Sequence, residues 1–148
     1  MPPAGSDSAA WNLGSAEGYS VTFASDAASD AAVIQVDTVT FDLAGHEYGL
    51  SGDNASYALV VGQTASDRAR LTIENGTLIG RNALIGGAGG FGCLTVASGA
   101  VLVVEEDLVL GTGDATLRVL AGGCTRIGGD LYLGKSRLVD LDGGTIVI

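Results

Sequence analysis

One short phrase recurs along this chain and constrains what it can fold into more than any other feature. Leu59-Val60-Val61-Gly62, Leu84-Ile85-Gly86-Gly87, Leu108-Val109-Leu110-Gly111 and Leu131-Tyr132-Leu133-Gly134 start 25, 24 and 23 residues apart. A second phrase lies between them. Leu71-Thr72-Ile73 then Gly76, Leu94-Thr95-Val96 then Gly99, and Leu117-Arg118-Val119 then Gly122 place their glycines 23 residues apart, and a less regular copy runs from Leu138 to Gly143. A third apolar segment follows each glycine: Thr77-Leu78-Ile79, Val101 to Val104, Thr125-Arg126-Ile127 and Thr145-Ile146-Val147-Ile148. Self-similarity at a fixed spacing of this size is the mark of a repeat architecture.

Each segment alternates apolar and polar residues, which is the period of a strand with one buried face. None carries the longer i, i+3, i+4 pattern of a helix. Three strands and three corners per unit describe one coil of an all-β, single-stranded parallel β-helix, a β-solenoid with three short strands per coil of 23–25 residues. Stacked coils bring equivalent residues together. Leu59, Leu84, Leu108 and Leu131 are therefore expected to form one core ladder, extended backwards by Ile34. Leu71, Leu94, Leu117 and Leu138 are expected to form another. The corners fall on Gly62, Gly76, Gly87, Gly99, Gly111, Gly122, Gly134 and Gly143, where the chain must turn with no room for bulk. The 24 glycines are thus punctuation, and the 2 prolines are few because proline cannot donate to a ladder paired on both sides.

The register divides the chain. Residues 1–10 read as a flexible N-terminus, and 11–32, with Trp11 and Tyr19, as an irregular cap or first coil. Residues 33–148 read as solenoid repeats ending in an uncapped coil. Thr145, Ile146, Val147 and Ile148 form its last strand, and an open strand edge is a template for pairing with another chain. End-to-end stacking into a filament or continuation into further repeats are the two expectations for that edge.

Charge narrows the partners. The net charge is −10, and nine acids precede the first base, Arg68, whereas residues 68–148 hold eight acids and seven bases. This balance opposes nucleic acid, whose recognition needs a basic footprint. No run of 18 apolar residues exists to span a membrane as a helix. The start, Met1 to Ser6, shows no secretory signal pattern. Two cysteines, Cys93 and Cys124, are too few for a disulfide framework, and with His46 as the sole histidine no zinc ligand set is present.

Candidates for chemistry are sparse. Arg137, Asp140 and Asp142 are the best group for acid/base work on a carbohydrate, although Val139 and Leu141 on the opposite side would make a core pair and leave both acids in solvent. Glu105, Glu106 and Asp107 read as a charged corner. Asp53 and Asn54 offer too few oxygens for calcium. Gly86 to Gly90 lacks the lysine and helix start of a phosphate loop and reads as a longer corner. His46 sits at a likely corner as a surface histidine. Cys124 is expected to be a small buried apolar residue and Cys93 to lean outward, so that no disulfide joins them. Thr72 and Thr95 align, but too few threonines rank with them to form an ice-binding face. No catalytic, metal or cofactor site is expected.

Taken together, Leu-x-Val-Gly, Leu-Thr-Val-x-x-Gly and Asp-Leu-x-Leu-Gly over residues 59–143 resemble the glycine-rich repeats of type V secretion (autotransporter) passengers and PEP-CTERM-associated surface proteins. Tyr19 to Phe23 and Val39 to Gly45 resemble the entry to such regions. The resemblance implies a right-handed β-helix outside the cell that serves as a stalk, adhesin or matrix component, and it supplies no catalytic motif. The function expected is therefore non-enzymatic and structural, at the cell surface or beyond it. Its partners would be copies of itself or further repeats, with surface glycans also considered. A β-helix that binds or cleaves carbohydrate, or a fragment of a larger surface protein, is the alternative.

Overall fold

The computed structural model describes residues 7–14 and 17–148, with backbone alone at Ser136. These residues form six coils of three strands each. The first coil holds β1 (Ser8–Ala10), β2 (Tyr19–Thr22) and β3 (Ala27–Ser29); the second, β4 (Ala31–Ile34), β5 (Thr38–Asp42) and β6 (Glu47–Leu50). The third holds β7 (Leu59–Val61), β8 (Arg68–Glu74) and β9 (Gly76–Gly80); the fourth, β10 (Ala83–Ile85), β11 (Phe91–Val96) and β12 (Ala100–Val104). The fifth holds β13 (Leu108–Leu110), β14 (Asp114–Leu120) and β15 (Cys124–Ile127); the sixth, β16 (Leu131–Leu133), β17 (Ser136–Asp142) and β18 (Thr145–Val147). Every third strand joins the same sheet, so three six-stranded parallel sheets face one another as a β-solenoid.

The core is built from columns that run from coil to coil. On the second sheet Val39, Leu71, Leu94, Leu117 and Val139 stack, and beside them Phe41, Ile73, Val96, Val119 and Leu141. On the first sheet the inward columns are Ala32–Leu59–Ala83–Leu108–Leu131 and Ile34–Val61–Ile85–Leu110–Leu133. Tyr48, Leu78, Leu102, Thr125 and Ile146 form the matching column on the third. Most of these side chains are fully buried away from the sixth coil.

Three ladder positions differ from the sequence expectation. Leu84 is one residue out of register: Ala83 pairs with Leu59 and Leu108, and Leu84 faces outward in the column Val33–Val60–Leu84–Val109–Tyr132. A one-residue offset moves a side chain to the other face. Here the fourth coil fills the narrow slot with alanine and shelters the leucine on the outside, where it stays 9% exposed. Leu138 is likewise displaced. It pairs with Thr116 and is 55% exposed, while Val139 takes the core position opposite Leu117. Ile34 pairs with Val61 rather than Leu59. That offset is two residues, so it keeps the inward face, and it arises because the loop before β7 is longer than its counterparts.

The corners show a similar adjustment. In the last four coils one residue shortly before the third-sheet strand is left-handed: Asn75 (φ 55°), Gly99 (φ 76°), Gly122 (φ 79°) and Gly143 (φ 75°). In the third coil this role falls to Asn75, a residue type that tolerates the conformation, and not to Gly76, which already belongs to β9. At the first-to-second-sheet corner Gly62, Gly86, Gly111 and Gly134 follow equivalent strand residues, so Gly86 rather than Gly87 holds the stacked position.

Ser8–Ala10 pairs in parallel with Ala31–Val33, and β2 and β3 stack on β5 and β6, so of the two forms expected for 11–32, an irregular cap or a first coil, the described residues take the second. Residues 1–6 of the expected flexible segment, and residues 15–16 of the expected cap, lie outside the described residues. What distinguishes this end is its filling. Trp11 meets the Phe41 ring at 5.1 Å between centroids, Phe23 meets Phe41 at 5.7 Å and Tyr48 at 5.0 Å, and Phe41 meets Tyr48 at 5.9 Å. Bulky rings fill the first two coils where leucine columns fill the later ones.

Thr125 is polar at an inward position. It is fully buried in the column of Leu78 and Leu102, and its Oγ1 has no hydrogen-bond partner among the described residues. A buried hydroxyl without a partner costs roughly 1–3 kcal/mol. Thr125→Val keeps the branched shape and removes that cost, so it is expected to raise stability by about 1 kcal/mol, read as a higher urea midpoint at unchanged slope. An unchanged or lower midpoint would show that the hydroxyl is already satisfied.

Candidate functional site

The three outer faces differ in chemistry. On the first sheet the outward column is apolar from Val33 to Tyr132, and on the third sheet Ile79, Val101 and Val103 point outward. The second sheet is polar. Ser20, Thr40, Thr72 and Thr95 stand in one outward row, continued by Arg118 and Asp140. The next row is Thr38, Arg70, Cys93, Thr116 and Leu138. Beyond it come Arg68, Phe91 and Asp114. Long, regular β8, β11 and β14 make this possible, because three or four outward positions per strand lie side by side.

These rows border a shallow trough of about 430 Å3 whose walls include Arg70, Phe91, Cys93, Thr95, Arg118 and Asp140. The Arg70 guanidinium lies over the Phe91 ring, 4.8 Å from its centroid. Arg118 Nε donates to Asp140 Oδ2 at 3.0 Å, and both side chains stay partly exposed. Arg68 and Arg70 make no ion pair among the described residues.

The candidates read from sequence are scattered. Arg137 aligns with Ala115 on the core-facing side of β17, and its Nη1 donates to the Lys135 carbonyl at 3.0 Å. Asp140 and Asp142 face outward opposite Arg118 and Leu120. The three do not converge, and Asp140 is held by a different arginine. Glu106 pairs with Arg81 at 2.9 Å, and Asp107 Oδ1 accepts from Asp130 N at 2.9 Å, so the acidic run is a corner clasp. His46 Nδ1 lies 3.3 Å from Asp26 Oδ1. The Asp26 carboxyl is held below its ordinary pKa chiefly by the Glu47 N–H it accepts, with the His46 contact acting in the same direction against slight desolvation.

Both cysteines are free. Cys93 points outward, and so does Cys124, which is half-buried between Val101 and Thr145 rather than in the core. In the glycine run, Gly90 N donates to Gly87 O at 2.8 Å and Gly87 N to Gly62 O at 2.7 Å, which ties a longer corner flat against the coil beneath.

The sixth coil presents a second notable surface. Leu133, Leu138, Leu141 and Val147 are about half exposed, at 50–55%, and Ile148 is 70% exposed. Leu133 and Leu141 end two inward columns, and β16, β17 and β18 each pair on one side only.

Arg70 and Phe91 were not singled out from sequence, and of the threonine row only the aligned Thr72 and Thr95 were. They occupy outward positions between core residues, so the signal was there: the residues that alternate with a core ladder name the outward face. No helix among the described residues is long and apolar enough to cross a membrane. Neither a protein-family model, nor a curated protein sequence, nor a solved structure matches the chain.

Proposed function

We propose that this chain is a non-catalytic structural segment of an extracellular β-solenoid, a stalk, adhesin segment or filament subunit that extends by adding coil to coil. The observation that carries this reading is the sixth coil. Among the described residues its inward columns stop at half-exposed Leu133 and Leu141, and β16, β17 and β18 each pair with one neighbour, an arrangement that a further parallel coil fits. A coil docked there would bury those leucines and complete three sheets at once. All three sheets are parallel, so continuing them coil on coil sets the first coil of one copy on the sixth of another, a head-to-tail contact. A head-to-tail contact does not close, so it propagates. The glycine-rich repeats of autotransporter passengers and PEP-CTERM-associated proteins support the placement at a cell surface.

Negative-stain electron microscopy and sedimentation of the purified chain test the stacking. Rods one solenoid wide, lengthening with concentration, are expected, and Leu133→Asp combined with Leu141→Asp is expected to abolish them while leaving the β-sheet circular dichroism unchanged. Monodisperse single solenoids at high concentration, for parent and variant alike, would overturn it.

A further inference from the structure

We infer that the outer face of the second sheet binds an acidic polysaccharide, a chain of uronic-acid type, laid along the solenoid axis between Arg70 and Arg118. Sidedness comes first. The charged side chains that border the trough are Arg70, Arg118 and Asp140, and Asp140 is already paired with Arg118, whereas the sheet's other outward acids, Asp42, Glu74, Asp114 and Asp142, stand outside it. An uncompensated cation in a trough lined otherwise by hydroxyls favours an anion.

Pre-organisation comes second. Arg70 is exposed and has no carboxylate partner among the described residues, yet stacking on Phe91 limits its motion. A held guanidinium presents a planar fork that fits a carboxylate, and less entropy is lost on binding. Arg118 uses Nε for Asp140 and keeps its Nη donors for a ligand.

Spacing chooses the ligand. Arg70 lies in the third coil and Arg118 in the fifth, two rungs or roughly 9–10 Å apart along the axis. A polyanion of low linear charge density, with one carboxylate per sugar, suits cations so spaced. A nucleic-acid duplex carries a charge every ~1.7 Å and would meet the surrounding acids far more often than these arginines. Between the two arginines run the hydroxyls of Thr72, Thr95 and Thr116, which donate to and accept from sugar hydroxyls. Arg70 and Phe91 stand on the third and fourth coils, below the open edge, so loss of anion binding and loss of stacking are read separately.

Affinity electrophoresis and calorimetry on the intact chain test it, with polygalacturonate as probe and neutral dextran and oligothymidylate as comparators. Binding to polygalacturonate at low salt is expected, weakening as salt is raised, with no retardation by dextran or oligothymidylate. Arg70→Gln is expected to weaken it about tenfold, and Phe91→Ala to weaken it less. Arg126→Gln, on the third sheet, is expected to leave it unchanged. Absence of binding at low salt, equal binding to dextran or oligothymidylate, or indifference to Arg70→Gln in a variant with unchanged circular dichroism would overturn the proposal.

Discussion

Gly111→Ala is expected to destabilise the protein by about 3 kcal/mol or more, or to prevent folding. A Cβ at this position would lie 2.3 Å from the Gly86 carbonyl oxygen and 2.9 Å from its carbon, with Gly87 Cα at 3.0 Å. All three atoms are backbone of the coil beneath, so no side chain can rotate away. Relief requires the coils to part, and Gly111 N donates to Ile85 O at 2.8 Å across the same gap. The damage therefore reaches the ladder itself. Gly49→Ala is the matched control. Gly49 lies on a strand of the same solenoid, but a Cβ there meets nothing within 4 Å. Alanine lowers the entropy of the unfolded chain, so this change is expected to be neutral or stabilising by a few tenths of a kcal/mol, roughly. Thermal melts compare the two, with Gly111→Ala lowering the midpoint by about 6–12 °C if it folds. Similar midpoints for both variants would show that the coils give way at the corner and that glycine there answers no steric demand.

The glycines explain why the coil was legible from sequence and why its register was not wholly so. A corner crowded by the neighbouring coil favours glycine, with Asn75 in its place in the third coil, so the spacing of corners is written largely in one letter. Core columns are less strict. They require apolar volume in total, which lets Ala83 face Leu59 and Leu108. Matching leucine to leucine then selects Leu84, which the first sheet turns outward. The second sheet, with longer strands, keeps Leu71, Leu94 and Leu117 in one column, and fails only where Val139 supersedes Leu138 at the open coil.

The acidic first part has a partial structural account that charge counting hides. Asp30 accepts from Asn54 N, Asp37 from Leu13 N and Gly14 N, Asp42 from Ala44 N, Asp26 from Glu47 N, and Asp67 from Gln63 N and Thr64 N. Asp30, Asp37 and Asp67 are buried. These carboxylates satisfy backbone donors at turns and long corners, which would otherwise lack partners. No spacing announces them, because each clasp fits a loop of its own length. The binding face escaped for a related reason: outward residues follow what a partner needs and carry no repeat of their own.

Phe41→Ala is expected to cost about 3–5 kcal/mol, the usual toll for deleting a fully buried aromatic ring. The ring is completely inaccessible and touches Trp11, Phe23 and Tyr48, so no neighbour can be lost without exposing another. Tyr48 is fixed from its far side by a 2.7 Å bond between its hydroxyl and Ser29 Oγ. Burial raises its pKa above the usual tyrosine range, although the Ser29 bond opposes the shift. Tyr48 thus cannot swing into the vacated space without breaking a buried polar pair. The loss should be local in character, because a solenoid coil contacts only its neighbours. Hydrogen exchange of Phe41→Ala is expected to show β1 to β6 losing protection while β11, β12 and β14 retain it. Uniform loss across all six coils would instead show that the solenoid folds as one cooperative unit, in which the aromatic cluster supports every coil above it.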